Sequence, residues 1–119
     1  MSLLQRADPR VSIIVPTFNR SPFLAECLES LFAQTLPPAQ VIVVNDRSTD
    51  ATRAVVETFR SRILYLETAA QVGKPGAANI GLEHVTGDYV WVFDDDDVAL
   101  PDALARFTAA LERHPHCGF

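Results

Sequence analysis

A chain of 119 residues with 48% hydrophobic and 21% charged positions and only 5 glycines is one domain with a core of its own, which excludes the disordered and fibrous classes. The net charge of −5 resides mostly in the run Asp94-Asp95-Asp96-Asp97, and the absence of any basic stripe argues against nucleic acid as a partner. Cys27 and Cys117 show neither metal-ligand spacing nor a disulfide framework, and no apolar run is as long as a membrane span, so a cytoplasmic setting is expected, at the cytoplasmic face of a membrane if a parent protein is attached to one.

In chain order, residues 1–10 read as a leader and the domain as 11–119. Val11 to Val15 is an apolar strand stopped by Pro16, followed by the loop Thr17-Phe18-Asn19-Arg20. Ser21 is placed to cap a helix with Pro22 at its first position, and Phe23, Leu24, Cys27, Leu28, Leu31 and Phe32 mark its buried face. Val41 to Val44 is a second strand ending in Asn45-Asp46-Arg47-Ser48-Thr49-Asp50, whose Ser48, Thr49 or Asp50 caps a helix with Val55, Val56 and Phe59 facing inward. Ile63 to Leu66 is a third, short strand. A flexible loop from Gln71 to Gly76 then leads to a helix over Ala77 to His84, stopped at Gly87. Tyr89 to Phe93 reads as a buried strand covered on both faces, and Pro101 opens a last helix with Leu104, Phe107 and Leu111 on one side, ended by Pro115.

Strand and helix alternate four times, which predicts βαβ units and a Rossmann-like parallel α/β sheet with helices on both faces. Such sheets bind ligands outside the carboxyl ends of their strands, so Asp46 and the 94–97 run become neighbours around one crevice. Alternation along an extended segment puts Asp94 and Asp96 on one side, an Asp-x-Asp pair suited to Mg²⁺ or Mn²⁺, and a cation there relieves the mutual repulsion of the carboxylates. The plainer alternative is a solvated acidic turn capping the helix near Pro101. Asp46 can accept a hydrogen bond from the imide N–H of uracil or guanine, or it caps a helix. Thr17 bonds a base through its backbone or hydroxyl, or is an ordinary turn residue; Lys74 reaches a phosphate, or is a solvated surface lysine.

These pieces together resemble the family 2 glycosyltransferases of the GT-A fold. The matching stretches are Val11 to Arg20, Gln34-Thr35, Val43 to Asp50, Gly76 to Leu82, and Gly87 to Asp97 with Pro101. The resemblance implies a nucleotide-diphosphate sugar as donor, a UDP-sugar first among them, bound with Mn²⁺ or Mg²⁺ for inverting transfer to an unknown acceptor. It puts the base and ribose on Pro16, Thr17 and Asp46 and matches Asp96 to the metal-binding Asp of the Asp-x-Asp motif, with Asp94 beside it as the second metal candidate from the alternation. Asn19, Lys74, Asn79 and Asp95, inside or beside the matching stretches, complete the candidate donor-binding set. The sequence departs from the family pattern at Asn45 and Arg47, which replace a first acid and a glycine, and at Ala78, which replaces an arginine. Family members continue beyond the Asp-x-Asp strand, so the chain is expected to be the donor half, with the catalytic base past Phe119 and an uncovered face open to self-association. Two other readings are a nucleotide-binding or dimerising module without catalysis, and an aspartate-nucleophile phosphohydrolase with Asp94 as nucleophile and Asp96 as acid–base.

Overall fold

A computed structural model describes residues 10–113; residues 1–9 of the expected leader, Pro115 and Cys117 lie outside them. In order come β1 (Val11–Thr17), α1 (Ser21–Phe32), β2 (Gln40–Asn45), α2 (Thr52–Glu57), a 3-10 turn (Arg60–Arg62), β3 (Leu64–Glu67), α3 (Gly73–Leu82), β4 (Tyr89–Val92) and α4 (Ala103–Arg113). The strands form one parallel sheet in the order β3-β2-β1-β4. This is the α/β architecture that the alternation predicts.

Strand alternation divides the core. Ile13, Val15, Val41 and Val43 face the apolar sides of α1 and α2 and Leu104 of α4, while Ile14, Ile42 and Val44 face Ala77 of α3. Each fully buried Ile, Leu or Val contributes about 1.5–3 kcal/mol relative to exposure, so the two central strands carry much of the stability. On the α3 side the layers touch closely: a Cβ on Gly81 would lie 2.8 Å from Ile14 Cγ2.

Several boundaries differ from the sequence expectation. β1 runs through Pro16 to Thr17. The β1–β4 ladder ends at Ile14 opposite Val92, and Ile14 O takes the Phe93 N–H; by alternation Pro16 faces the same, now unpaired, side. Its missing N–H therefore costs no ladder bond. Ser21 is the first helical residue and makes no cap, and Phe23 stays 49% exposed because the stripe that reaches the sheet is Leu24, Cys27, Leu28 and Leu31. Gly73 to Gly76 are the first turn of α3 rather than a flexible loop, and α3 ends at Leu82, short of Gly87. β4 stops at Val92 and is an edge strand among the described residues, with Tyr89, Val90 and Trp91 half-buried and Val92 43% exposed. It is not covered on both faces. Trp91 packs instead on Phe93 and Phe107, at 5.0 and 6.4 Å between ring centroids. No helix of the described residues is long and apolar enough to cross a membrane.

Candidate donor-binding site

Chain order reverses between β1 and β4: β2 and β3 lie on one side of β1, β4 on the other. That is the switch point at which open α/β sheets bind ligands. Because β4 parts from β1 after Phe93, a cavity of about 380 Å³ opens there, lined by Pro16, Thr17, Asp46, Lys74 and Asp94–Asp96, together with Phe18, Arg20 and Gln71 from the adjoining loops. The structure thus brings together seven of the nine candidate residues. Thr17 is buried and its Oγ1 finds no hydrogen-bond partner among the described residues. An unpaired buried hydroxyl costs about 1–3 kcal/mol, so this one is suited to accept or donate to a ligand.

Asp46 follows β2 directly and is buried. Oδ1 accepts from Thr68 Oγ1 and Val72 N, both at 2.9 Å, and Oδ2 from Gly73 N at 2.8 Å. Burial alone would raise its pKa, but the bonds from Val72, Thr68 and Gly73 outweigh it and hold the carboxyl below the ordinary value. Asp46 is therefore a helix cap, as one of its two sequence readings had it, yet for α3, more than twenty residues away, rather than for α2. Asp50 serves α2, accepting from Thr52 N and Oγ1. With four lone-pair positions and three donors, the Asp46 carboxylate keeps one acceptor position at Oδ2.

The acidic run is a turn, not an extension of β4. Asp97 N donates to Asp94 O at 3.2 Å, which folds Asp97 back beside Asp94. Ligand oxygens of Asp94, Asp96 and Asp97 lie within 4.8 Å of one another. Asp97 was missed by the sequence reading because strict alternation sends it to the opposite side; the i, i+3 spacing of a turn is the signal that finds it. Asp95 turns toward β1, 3.4 Å from Phe18 N and 3.6 Å from Arg20 Nε. Lys74 is ion-paired with Asp94. A donor set made only of carboxylate oxygens suits hard divalent cations such as Mg²⁺ and Mn²⁺, and the Lys74 ammonium on Asp94 is a stand-in positive charge in the same cluster. The residues present fit such an ion.

The segment after the run is stitched to the end of α1 and the turn that follows it. Gln34 Nε2 donates to Leu100 O at 2.7 Å, Gln34 Oε1 accepts from Leu104 N at 3.0 Å, Ser30 Oγ accepts from Ala99 N, and Thr35 N donates to Pro101 O. Cys27 lies beneath the run; burial first, then the charges of Asp95, Asp97 and Asp96, push its thiol up to about 12, which leaves it an inert core residue. Two candidates fall outside the cavity. Asn19, at φ 52, uses Oδ1 to accept from Thr49 N at 2.8 Å and takes Ser48 Oγ on its own N–H, tying the loop after β1 to the loop after β2. Asn79 is exposed on α3, because the helix turns its Ala77 side to the sheet.

The model of the Glycosyl transferase family 2 matches residues 12–119. Among curated relatives, the glycosyltransferase GlyA of Streptococcus pneumoniae is 39% identical over 93 residues, 76% of this chain and 13% of that protein. The GalNAc(5)-diNAcBac-PP-undecaprenol beta-1,3-glucosyltransferase of Campylobacter jejuni is 38% identical over 101 residues, 82% of this chain and 33% of that one. The chain thus spans a third or less of the length of these two relatives. Among solved structures, S. aureus TarS in complex with UDP-GlcNAc superposes with a TM-score of 0.82 at 32% identity, over 89% of this chain and 32% of that one. The mannosyltransferase PcManGT of Pyrobaculum calidifontis, in complex with GDP-Man and Mn²⁺, superposes with a TM-score of 0.79 at 35% identity, over 88% and 33%. These matches displace the phosphohydrolase reading of Asp94 and Asp96, and the chain belongs to the Glycosyl transferase family 2.

Proposed function

We propose that the crevice binds a nucleotide-diphosphate sugar, a UDP-sugar by preference, together with Mn²⁺ or Mg²⁺, as the donor side of glycosyl transfer. The observation that carries this reading is that Asp94 and Asp96, clustered with Asp97, line the same cavity as Pro16, the Thr17 hydroxyl, unpaired among the described residues, and the open lone pair of Asp46. When bound, a divalent ion supplies positive charge against the diphosphate leaving group. The base and ribose rest on Pro16 and Thr17, where Thr17 Oγ1 gains the partner it lacks and Asp46 Oδ2 accepts from an imide N–H. Asp94, Asp96 and Asp97 hold the ion, and Asp95, braced by Phe18 and Arg20, lines the donor's path. The neighbours bearing UDP-GlcNAc and GDP-Man with Mn²⁺ support the donor class.

Titration calorimetry with UDP, GDP and CDP, each with and without Mn²⁺, tests the reading. UDP with Mn²⁺ is expected to bind tightest, and Asp96→Asn to weaken Mn²⁺-dependent binding by roughly ten-fold or more, about 1.4 kcal/mol. Equal affinity of wild type and Asp96→Asn, or binding indifferent to Mn²⁺, would overturn it.

A further inference from the structure

The cluster formed by Asp94, Asp96 and Asp97 has one cation among the described residues, Lys74 on Asp94; Arg20, the other cation lining the cavity, is turned to Asp95. Lys74 follows Gly73, whose N–H is fixed on Asp46 and whose φ of +80° sends the chain into the first turn of α3. The backbone at the base of the lysine is thus anchored to the floor of the crevice, while four flexible methylenes carry its ammonium to the opposite wall. Its side chain is 57% exposed, and its ion-pair partner among the described residues is Asp94.

A like charge on a ligand carboxylate opposes uptake of a second cation. From this geometry we infer that Lys74 is a built-in counter-ion of the acidic cluster: it must leave Asp94 for the carboxylates to take a divalent cation, and once released it turns to the diphosphate of the donor. The inference rests on the donor-site reading for its second half only. The same side chain then has opposite effects on two ligands, which a simple phosphate-binding lysine would not.

The experiment is titration of this chain and its Lys74→Gln variant with Mn²⁺ alone, by calorimetry and by the free-ion Mn²⁺ resonance, followed by UDP and GDP at saturating Mn²⁺, with melting curves to confirm that the exposed substitution leaves the fold intact. Lys74→Gln is expected to tighten Mn²⁺ alone by roughly two- to five-fold, the range of an exposed ion pair, and to weaken the nucleoside diphosphate by roughly three- to ten-fold. Unchanged or weaker Mn²⁺ binding by the variant, or no uptake of Mn²⁺ by either protein, would overturn the counter-ion role. If neither protein binds a nucleoside diphosphate while the variant still binds Mn²⁺ more tightly, the donor-site reading fails and the counter-ion role stands.

Discussion

Replacing Asp46 with Ala tests how the crevice is held open. The change removes one acceptor set and strands three donors: Thr68 Oγ1, Val72 N and Gly73 N. Val72 and Gly73 are exposed residues, so water can replace the carboxylate there, and the loss is that of a helix N-cap, about 1 kcal/mol. Thr68 is buried, and leaving its hydroxyl unpaired adds about 1–3 kcal/mol. Together the cost is about 2–4 kcal/mol, which in a domain of this size lowers Tm by roughly 10–25 °C. Asp46→Asn keeps one carbonyl oxygen and should lose about half as much, since its amide cannot accept from one of the three donors. Differential scanning calorimetry measures this, with UDP titration in parallel, and both stability and affinity are expected to fall. An Asp46→Ala protein that melts within about 3 °C of wild type yet loses UDP would refute the capping argument and leave Asp46 as a reader of the base alone.

Thr17→Val removes a buried hydroxyl that has no partner among the described residues and fills the same volume, so Tm should hold or rise, by up to about 1 kcal/mol of stability, while nucleotide affinity falls; a marked loss of Tm would mean that the hydroxyl is paired in the folded chain. Acid should destabilise the fold through three carboxyls held below their ordinary values. In Asp50 the raising effect of burial is outweighed by bonds from the Thr52 hydroxyl and N–H and from Ser21, down to about 2; Asp46 is lowered as described, and Glu67 is lowered by the Tyr65 hydroxyl and then Arg53. Because each folded pKa lies below its unfolded value of 3.8 or 4.5, the unfolded chain binds more protons in that window. Their stabilisation is therefore complete above it and is lost as pH falls toward about 2. Melting curves in acid that stay flat across that window would contradict this.

What the sequence carried in plain form was the sheet. Val11 to Val15, β-branched except at Ser12, and Val41 to Val44, β-branched throughout, suit strands buried on both faces, and the polar residues directly after them can only lie at one edge of a parallel sheet. The crevice between Asp46 and the acidic run follows from that alone. What escaped depends on contacts no local pattern contains. The periodicity of α1 admits Phe23 to the apolar stripe, but the sheet is reached only from Leu24, Cys27, Leu28 and Leu31. Asp46 reads as a helix cap with no local sign of which helix; α2 already has Asp50, and the donors that reach Asp46 come from residues 68–73, brought over by β3. Asn19 and Asn79 share stretches with cavity residues, but neighbours in sequence on a loop or helix point in different directions.

The two departures from the family pattern at the end of β2 and just beyond it make physical sense together. Asn45 is buried, and its Nδ2 donates to Tyr65 Oη at 2.9 Å while that hydroxyl donates to Glu67 Oε2 at 2.6 Å and Glu67 also takes Arg53 Nε at 2.7 Å. A Tyr hydroxyl that points its proton at a carboxylate keeps its lone pairs for a donor, which an amide at position 45 supplies and an ionised acid does not. Burial first, then the bond to Glu67, raise the Tyr65 pKa, so the hydroxyl stays protonated and the chain of bonds intact. Arg47 adopts φ 65, a conformation usually left to glycine and costing on the order of 1–3 kcal/mol elsewhere. Its Nη1 reaches Thr68 O at 3.4 Å and Ala69 O at 3.3 Å, so the strained residue grips the same segment that Asp46 holds through Thr68, Val72 and Gly73. Adjacent residues of one turn thus fix both ends of the connection from β3 to α3. That connection sets where Lys74 emerges, and through Lys74 the turn after β2 governs the charge presented to the aspartates across the crevice.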